Sequence, residues 1–148
     1  MDLIPTAGEF KGREHYYPIR VFYEDTDFTG IVYYANYLRF FERARSSFFR
    51  SVGFKHAELW NSEEPIAFAI RSIHLEYMKS AKIDDDLNIV TTYDKIKGAR
   101  LWVNQSCYRG DELLVTAFSE AACISPEGKP KRAPSWMINQ LSQYLLTD

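Results

Sequence analysis

Residues 24–45 read EDTDFTGIVYYANYLRFFERAR. Two aspartates and a glycine lead directly into an aromatic-rich segment, and the fold turns on what that segment is. Tyr37, Phe40, Phe41, Ala44 and Phe48 recur at spacings of three and four, while Arg39, Arg43, Ser46 and Arg50 fall on the opposite side. That period predicts an amphipathic helix from about Tyr34 to Val52, with Gly53 as its stop. Upstream, Ile19, Val21 and Tyr23 alternate with Arg20, Phe22 and Glu24, so residues 17–24 read as a strand.

After Pro65 the period becomes two. Residues 66–78, 86–96, 101–108 and 112–124 each read as strands, the middle pair joined by the turn Lys97–Gly98–Ala99–Arg100 and the last pair by Arg109–Gly110–Asp111. HAELWNSEE, residues 56–64, suggests a short helix, and SWMINQLSQYLL, residues 135–146, a terminal one. Short links make consecutive strands antiparallel. One long helix plus an antiparallel sheet of about five strands is an α+β fold, with the helix covering one sheet face. Residues 1–16, broken by Pro5 and Gly8, read as a mobile arm, and residues 1–148 as a single domain.

The bulk properties narrow the function. The chain has 148 residues and is 46% hydrophobic and 26% charged, enough for a core without staples. A formal net charge of −2 gives no basic field for nucleic acid. Aromatics reach 16%, a surplus that suits a thick core, a subunit interface or an acyl-binding tunnel. Cys107 and Cys123 read as reduced core residues. The first eighteen residues hold no apolar run that would act as a signal peptide, and no stretch approaches a membrane span, so the expected location is the cytoplasm.

Three chemistries compete for Asp25 and Asp27. As helix caps, either oxygen could satisfy orphan N–H groups, although the capping position nearest the helix lies after Gly30. As a calcium loop, D-T-D-F-T-G has oxygens at positions one, three and five, but position twelve is Asn36 and a strand precedes the loop. As a catalytic carboxylate, Asp27 beside a helix N-terminus could attack a carbonyl held on free N–H groups, or draw a proton from water. Gly30 would then let backbone approach the substrate closely. His74 alternates within a strand and reads as structural, Asp84–Asp85–Asp86 as a solvated turn. Lys129, Lys131 and Arg132, with Lys97 and Arg100, could receive the phosphates of a nucleotide-bearing ligand.

Residues 23–45, YEDTDFTGIVYYANYLRFFERAR, resemble the signature of the 4-hydroxybenzoyl-CoA thioesterase family of hotdog-fold proteins, and within it the YbgC-type acyl-CoA thioesterases associated with Tol-Pal genes. The likeness continues through AFAIRSIHLEYMKSAKIDDDLNIVT and the KPKRAP loop, covering about residues 17–134. It implies a long helix wrapped by an antiparallel sheet, and a homodimer or homotetramer paired through sheet edges with active sites at the subunit interface. It implies acyl-CoA as substrate, Asp27 as the catalytic carboxylate, Asp25 as a positioning residue, and the backbone N–H of Tyr34 as the group that polarises the thioester carbonyl. Relatives often carry VYHA where this chain has VYYA, so no helper histidine carries over to Tyr34. Lys97, Arg100 and Arg132 occupy places comparable to those that hold the CoA nucleotide. No metal or redox cofactor is implied, since the helix end supplies the electrophilic assistance. The alternative is a non-catalytic hotdog module that binds acyl-CoA or acyl carrier protein, or serves an envelope complex. A hotdog dehydratase is disfavoured because no histidine stands at the head of the long helix.

Overall fold

The computed structural model describes residues 1–147. Six strands form one antiparallel sheet in the order β1-β2-β4-β5-β6-β3. They are β1 (Glu9–Lys11), β2 (Glu14–Arg20), β3 (Ala67–Tyr77), β4 (Asp86–Lys97), β5 (Arg100–Arg109) and β6 (Glu112–Ile124). The helices are α1 (Tyr37–Val52), α2 (His56–Trp60) and α3 (Ser135–Ser142). Long helix and antiparallel sheet stand as the sequence pattern requires.

α1 exists because its apolar stripe has somewhere to go. Tyr37, Phe40, Phe41, Ala44, Phe48 and Phe49 are buried on it, packed against residues of the sheet. Each buried phenylalanine contributes roughly 1.5–3 kcal/mol of transfer free energy, far more than any propensity term. The first half of the helix packs on Val21, Leu87, Ile89 and Leu114. The second half packs on Tyr93, Leu101 and Val103, capped by Met137 and Leu141 of α3. Cys107 and Cys123 are free and buried in these two clusters. Burial pushes the Cys107 thiol up to about 12 and the Cys123 thiol up to about 11, so both stay protonated packing groups.

Three expectations need correction. The arm foreseen over residues 1–16 is built into the sheet from Glu9 onward, which adds β1 and starts β2 at Glu14 rather than Tyr17. Phe10 stacks on Tyr144 with ring centroids 4.2 Å apart and meets Phe48 edge-on, so this polar-looking stretch has its own apolar anchor. The strand also ends early: Phe22 leaves the sheet, and Tyr23–Asp25 form a 3-10 turn. Likewise the α-helix begins at Tyr37, after a separate 3-10 turn over Tyr34–Asn36.

β3 lies at the edge, paired on one side by β6 through Ala67↔Ile124 to Tyr77↔Val115. Among the described residues, no strand pairs its other side. It carries one irregularity, between Ile70 and Ser72. No helix among the described residues is long and apolar enough to cross a membrane.

Candidate active site

The loop between β2 and α1 folds on itself in two steps. Asp25 is the first. Its side chain is buried, Oδ2 accepts from the Phe22 N–H at 2.8 Å, and Oδ1 accepts from Asn36 Nδ2 at 2.8 Å. The Asp25 carbonyl also accepts from the Tyr33 N–H at 3.0 Å. One aspartate therefore clamps the start of the loop to the turn that heads the helix.

The second step is a tight turn from Asp27 to Gly30. The Gly30 N–H donates to the Asp27 carbonyl at 3.1 Å, and the Asp27 N–H donates to the Ile31 carbonyl at 2.9 Å. Gly30 has φ +85°, a conformation that L side chains rarely adopt, and a Cβ there would meet no heavy atom within 4 Å. The turn requires its glycine by φ; close approach by neighbouring chain does not.

Asp27 faces outward. Its Oδ1 accepts from the Thr29 hydroxyl at 2.5 Å and from the Thr29 N–H at 2.7 Å, while Oδ2 accepts no hydrogen bond among the described residues. The hydroxyl of Thr29, then its backbone N–H, holds the carboxyl below the ordinary aspartate range. Asp27 is thus ionised at neutral pH, with one oxygen tethered and the other available.

Opposite it stands the head of the helix. The N–H groups of Tyr34 and Ala35 donate to no acceptor among the described residues, whereas their neighbours Val32, Tyr33 and Asn36 all do. Tyr77 of β3 donates its hydroxyl to the Tyr34 carbonyl at 3.0 Å. That carbonyl and the Ala35 N–H belong to one peptide plane, so Tyr77 orients the Ala35 donor. A cleft of about 470 Å³ is lined by Asp27, Ala35, Asn36, Leu38 and Arg39. Tyr34 itself lies outside that lining, with an exposed side chain whose ring meets those of Tyr33 and Tyr77. Ala35, Asn36, Thr29 and Tyr77 are contributions that sequence reasoning missed. Only Thr29 could have been read locally, because a Thr two residues after an Asp commonly closes such a turn.

The basic residues gather elsewhere. Cys123 near the end of β6 links two of their segments: its N–H donates to the Ala99 carbonyl at 2.7 Å, and its carbonyl accepts from the Lys131 N–H at 2.9 Å. Lys97 pairs with Arg100 across the β4–β5 hairpin, and both are exposed, as is Arg132. Arg100 reaches Glu120 at 3.5 Å, a carboxylate it shares with Arg71 at 2.9 Å. Tyr77, beside the helix head, pairs with Val115 at the other end of β6. From Val115 to Cys123 is eight residues, about 26 Å of strand at roughly 3.3 Å per residue. One chain therefore does not bring Lys97, Arg100 and Arg132 to Asp27.

Comparison with known proteins points one way. The family model described as thioesterase-like superfamily matches residues 21–141. The acyl-CoA thioesterase YbgC of Haemophilus influenzae is 39% identical over 108 residues, covering 73% of this chain and 79% of its own. The acyl-CoA thioester hydrolase YbgC of Escherichia coli is 34% identical over 129 residues, covering 86% of this chain and 95% of its own. Among solved structures, a probable thioesterase from Bartonella henselae superposes with a TM-score of 0.80 at 41% identity, covering 82% of this chain and 99% of that one.

Proposed function

This chain belongs to the thioesterase-like superfamily and has its hotdog fold, and from that premise we propose that it hydrolyses acyl-CoA thioesters to CoA and a free carboxylic acid, with Asp27 as the catalytic carboxylate. The observation that carries the assignment is one cleft shared by an ionised, half-tethered Asp27 and by Ala35, whose N–H, like that of the adjoining Tyr34, has no acceptor among the described residues.

The chemistry follows from that pairing. The thioester carbonyl oxygen rests against the N–H groups of Tyr34 and Ala35, where the helix dipole favours the negative charge that develops on attack. On the nucleophilic route, Asp27 Oδ2 bonds to the carbonyl carbon, the C–S bond breaks and CoA leaves. Water then cleaves the acyl-aspartyl anhydride to acid and free Asp27. On the general-base route, Asp27 takes a proton from a water that attacks the same carbon directly. Both routes use the same atoms and give the same products. Asp25 acts through position alone, holding Asn36 and hence the donor turn. Electrophilic assistance comes from the helix end, so no metal or redox cofactor is invoked.

The functional unit in this reading is a homo-oligomer. β3 is a long edge strand open on one side, a ready template for antiparallel pairing with a second copy. Such pairing turns the far end of the partner's sheet toward this protomer's Tyr77 and Asp27. The partner's Lys97, Arg100 and Arg132 would then be the cations that receive the CoA phosphates. We place the enzyme in the cytoplasm, with acyl carrier protein as the alternative thioester carrier.

Release of CoA thiol, followed with a thiol reagent over short, long and aromatic acyl-CoAs, tests the assignment. Asp27→Asn is expected to lower kcat/KM at least about a hundredfold, ~2.7 kcal/mol of barrier. A folded variant that keeps full activity removes Asp27 from the mechanism. A wild type inert on every acyl-CoA points to a binding module instead.

A further inference from the structure

A second cavity, of about 600 Å³, opens between the middle of α1 and the sheet beside the start of β3. Phe49, Phe68 and Leu101 give it apolar walls, and Glu42, Arg43, Arg45, Ser46 and His56 give it a polar side. Arg45 is the unusual member. It makes one hydrogen bond, from Nη1 to Gln105 Oε1 at 3.0 Å. Gln105 is otherwise spent, its Nε2 donating to the Phe41 carbonyl at 2.9 Å and to Thr91 Oγ1 at 3.0 Å. Among the described residues no carboxylate lies within 4.0 Å of the guanidinium, Glu42 one turn earlier included. Among the described residues, Nε and Nη2 make no hydrogen bond.

A half-buried cation whose one hydrogen bond is to an amide oxygen, with Glu42 acting on it only from beyond ion-pair distance, is incompletely compensated, and a carboxylate matches its remaining donors in a bidentate fork. His56 Nε2 sits 3.1 Å from Ser46 Oγ, and desolvation lowers the imidazole's proton affinity, so this ring adds hydrogen bonding rather than charge, while Arg43 on the same lining offsets Glu42. The apolar walls suit methylene groups, and a polyphosphate would leave them unused. We propose that this cavity receives the distal end of the acyl group, and that Arg45 binds a carboxylate there. Preferred substrates are then acyl-CoA thioesters whose acyl chain ends in a carboxylate.

The inference rests on the thioesterase reading and on pairing through β3. Ala67 and Phe68, which border the cavity, lie at the end of β3 opposite Tyr77. Antiparallel pairing sets that end against the partner's Tyr77, and the partner's Tyr34 comes with it. An acyl chain leaving the partner's helix head therefore runs toward Arg45.

Two kinetic series and one binding measurement test this. kcat/KM is compared for adipyl-CoA and heptanoyl-CoA, which differ in a terminal carboxylate against an ethyl end, in the wild type, Arg45→Met and Arg45→Lys. The wild type should favour adipyl-CoA at least about tenfold, the scale of one hydrogen bond to a charged group. Arg45→Met should lose that preference through KM while keeping its turnover of heptanoyl-CoA, and Arg45→Lys should recover part of it. A wild type that turns over both thioesters with no preference for adipyl-CoA overturns the proposal whatever the variants do. So does an Arg45→Met enzyme that keeps the wild-type ratio, or one that loses both substrates equally. Adipate binding by calorimetry decides the matter even if no thioester turns over. Binding to the wild type and not to Arg45→Met supports the carboxylate site, and no binding to the wild type rejects it. Inertness toward both thioesters with adipate still bound would fail the thioesterase reading alone.

Discussion

Asp25 and Asp27 stand two residues apart and have opposite surroundings. Asp25 is enclosed and spends both oxygens on the protein, on Phe22 and Asn36. Asp27 is tethered by one oxygen to Thr29 and leaves the other open. Its lowered pKa has a consequence for pH dependence. If Asp27 must be ionised, kcat/KM falls only as pH drops through its depressed value, so the acid limb lies below that of an ordinary aspartate. The Thr29 hydroxyl is the largest cause of the depression. Thr29→Ala removes it and should move the acid limb to higher pH, with turnover at neutral pH little changed. An unmoved limb would mean that another group titrates there. The sequence marked Asp27 because its neighbours in the chain, Gly30 and the helix, are local. It could not mark the Asp25–Asn36 pair, eleven positions apart, or show that Asp85 in the supposedly solvated acidic run meets Arg109 at 2.7 Å. His74, read as a satisfied structural histidine, does find a partner in Glu76 at 3.1 Å, but on the exposed face of the edge strand.

At the scale of elements, α1 was legible because its period is long and its stripe is made of phenylalanine. The hairpin of β1 and β2 was not, since Glu9–Lys11 and Glu14–His15 are polar by composition. What docks it is tertiary. Ser51 near the end of α1 donates its hydroxyl to the Ala7 carbonyl at 3.1 Å, and so accepts from His15 Nε2–H at 3.0 Å. His15 is fully buried between Phe10 and Phe48, and its Nδ1 has no partner among the described residues. Gly8 completes the joint. Its φ is +80°, and a Cβ there would fall 2.2 Å from the Tyr16 carbonyl oxygen and 2.8 Å from His15 Cε1. Neither backbone nor buried ring can yield, so Gly8→Ala should undock the segment before β1. Amide hydrogen exchange at Glu9–Lys11 is expected to accelerate at least tenfold, ~1.4 kcal/mol of local stability, while the centre of β5 keeps its protection. Equal acceleration in β5 would show that the hairpin is not a separate unit.

The whole molecule poses the question that one chain leaves open. The family resemblance implies one reaction for Asp27, Tyr34, Lys97, Arg100 and Arg132, and a single protomer divides them between opposite ends of β6. No pattern along the chain could reveal that division, because it follows from how β6 crosses the sheet and from what pairs with β3. If two copies join through β3, each complete site takes Asp27 from one chain and the basic cluster from the other. That arrangement can be tested by complementation. One variant carries Asp27→Asn with its cluster intact, and the other carries Lys97→Ala, Arg100→Ala and Arg132→Ala with Asp27 intact. Each alone should be severely impaired at subsaturating acyl-CoA. Unfolded together and refolded, half the dimers are mixed, and one of the two sites in each is fully native. Activity should then recover to roughly a quarter of the wild-type level, as random pairing in a two-fold dimer requires. Sites built within single chains give no recovery, because every Asp27 that remains would still face a neutralised cluster. The same refolded mixture, separated by size, reports whether the recovered activity travels with a dimer or with a larger assembly.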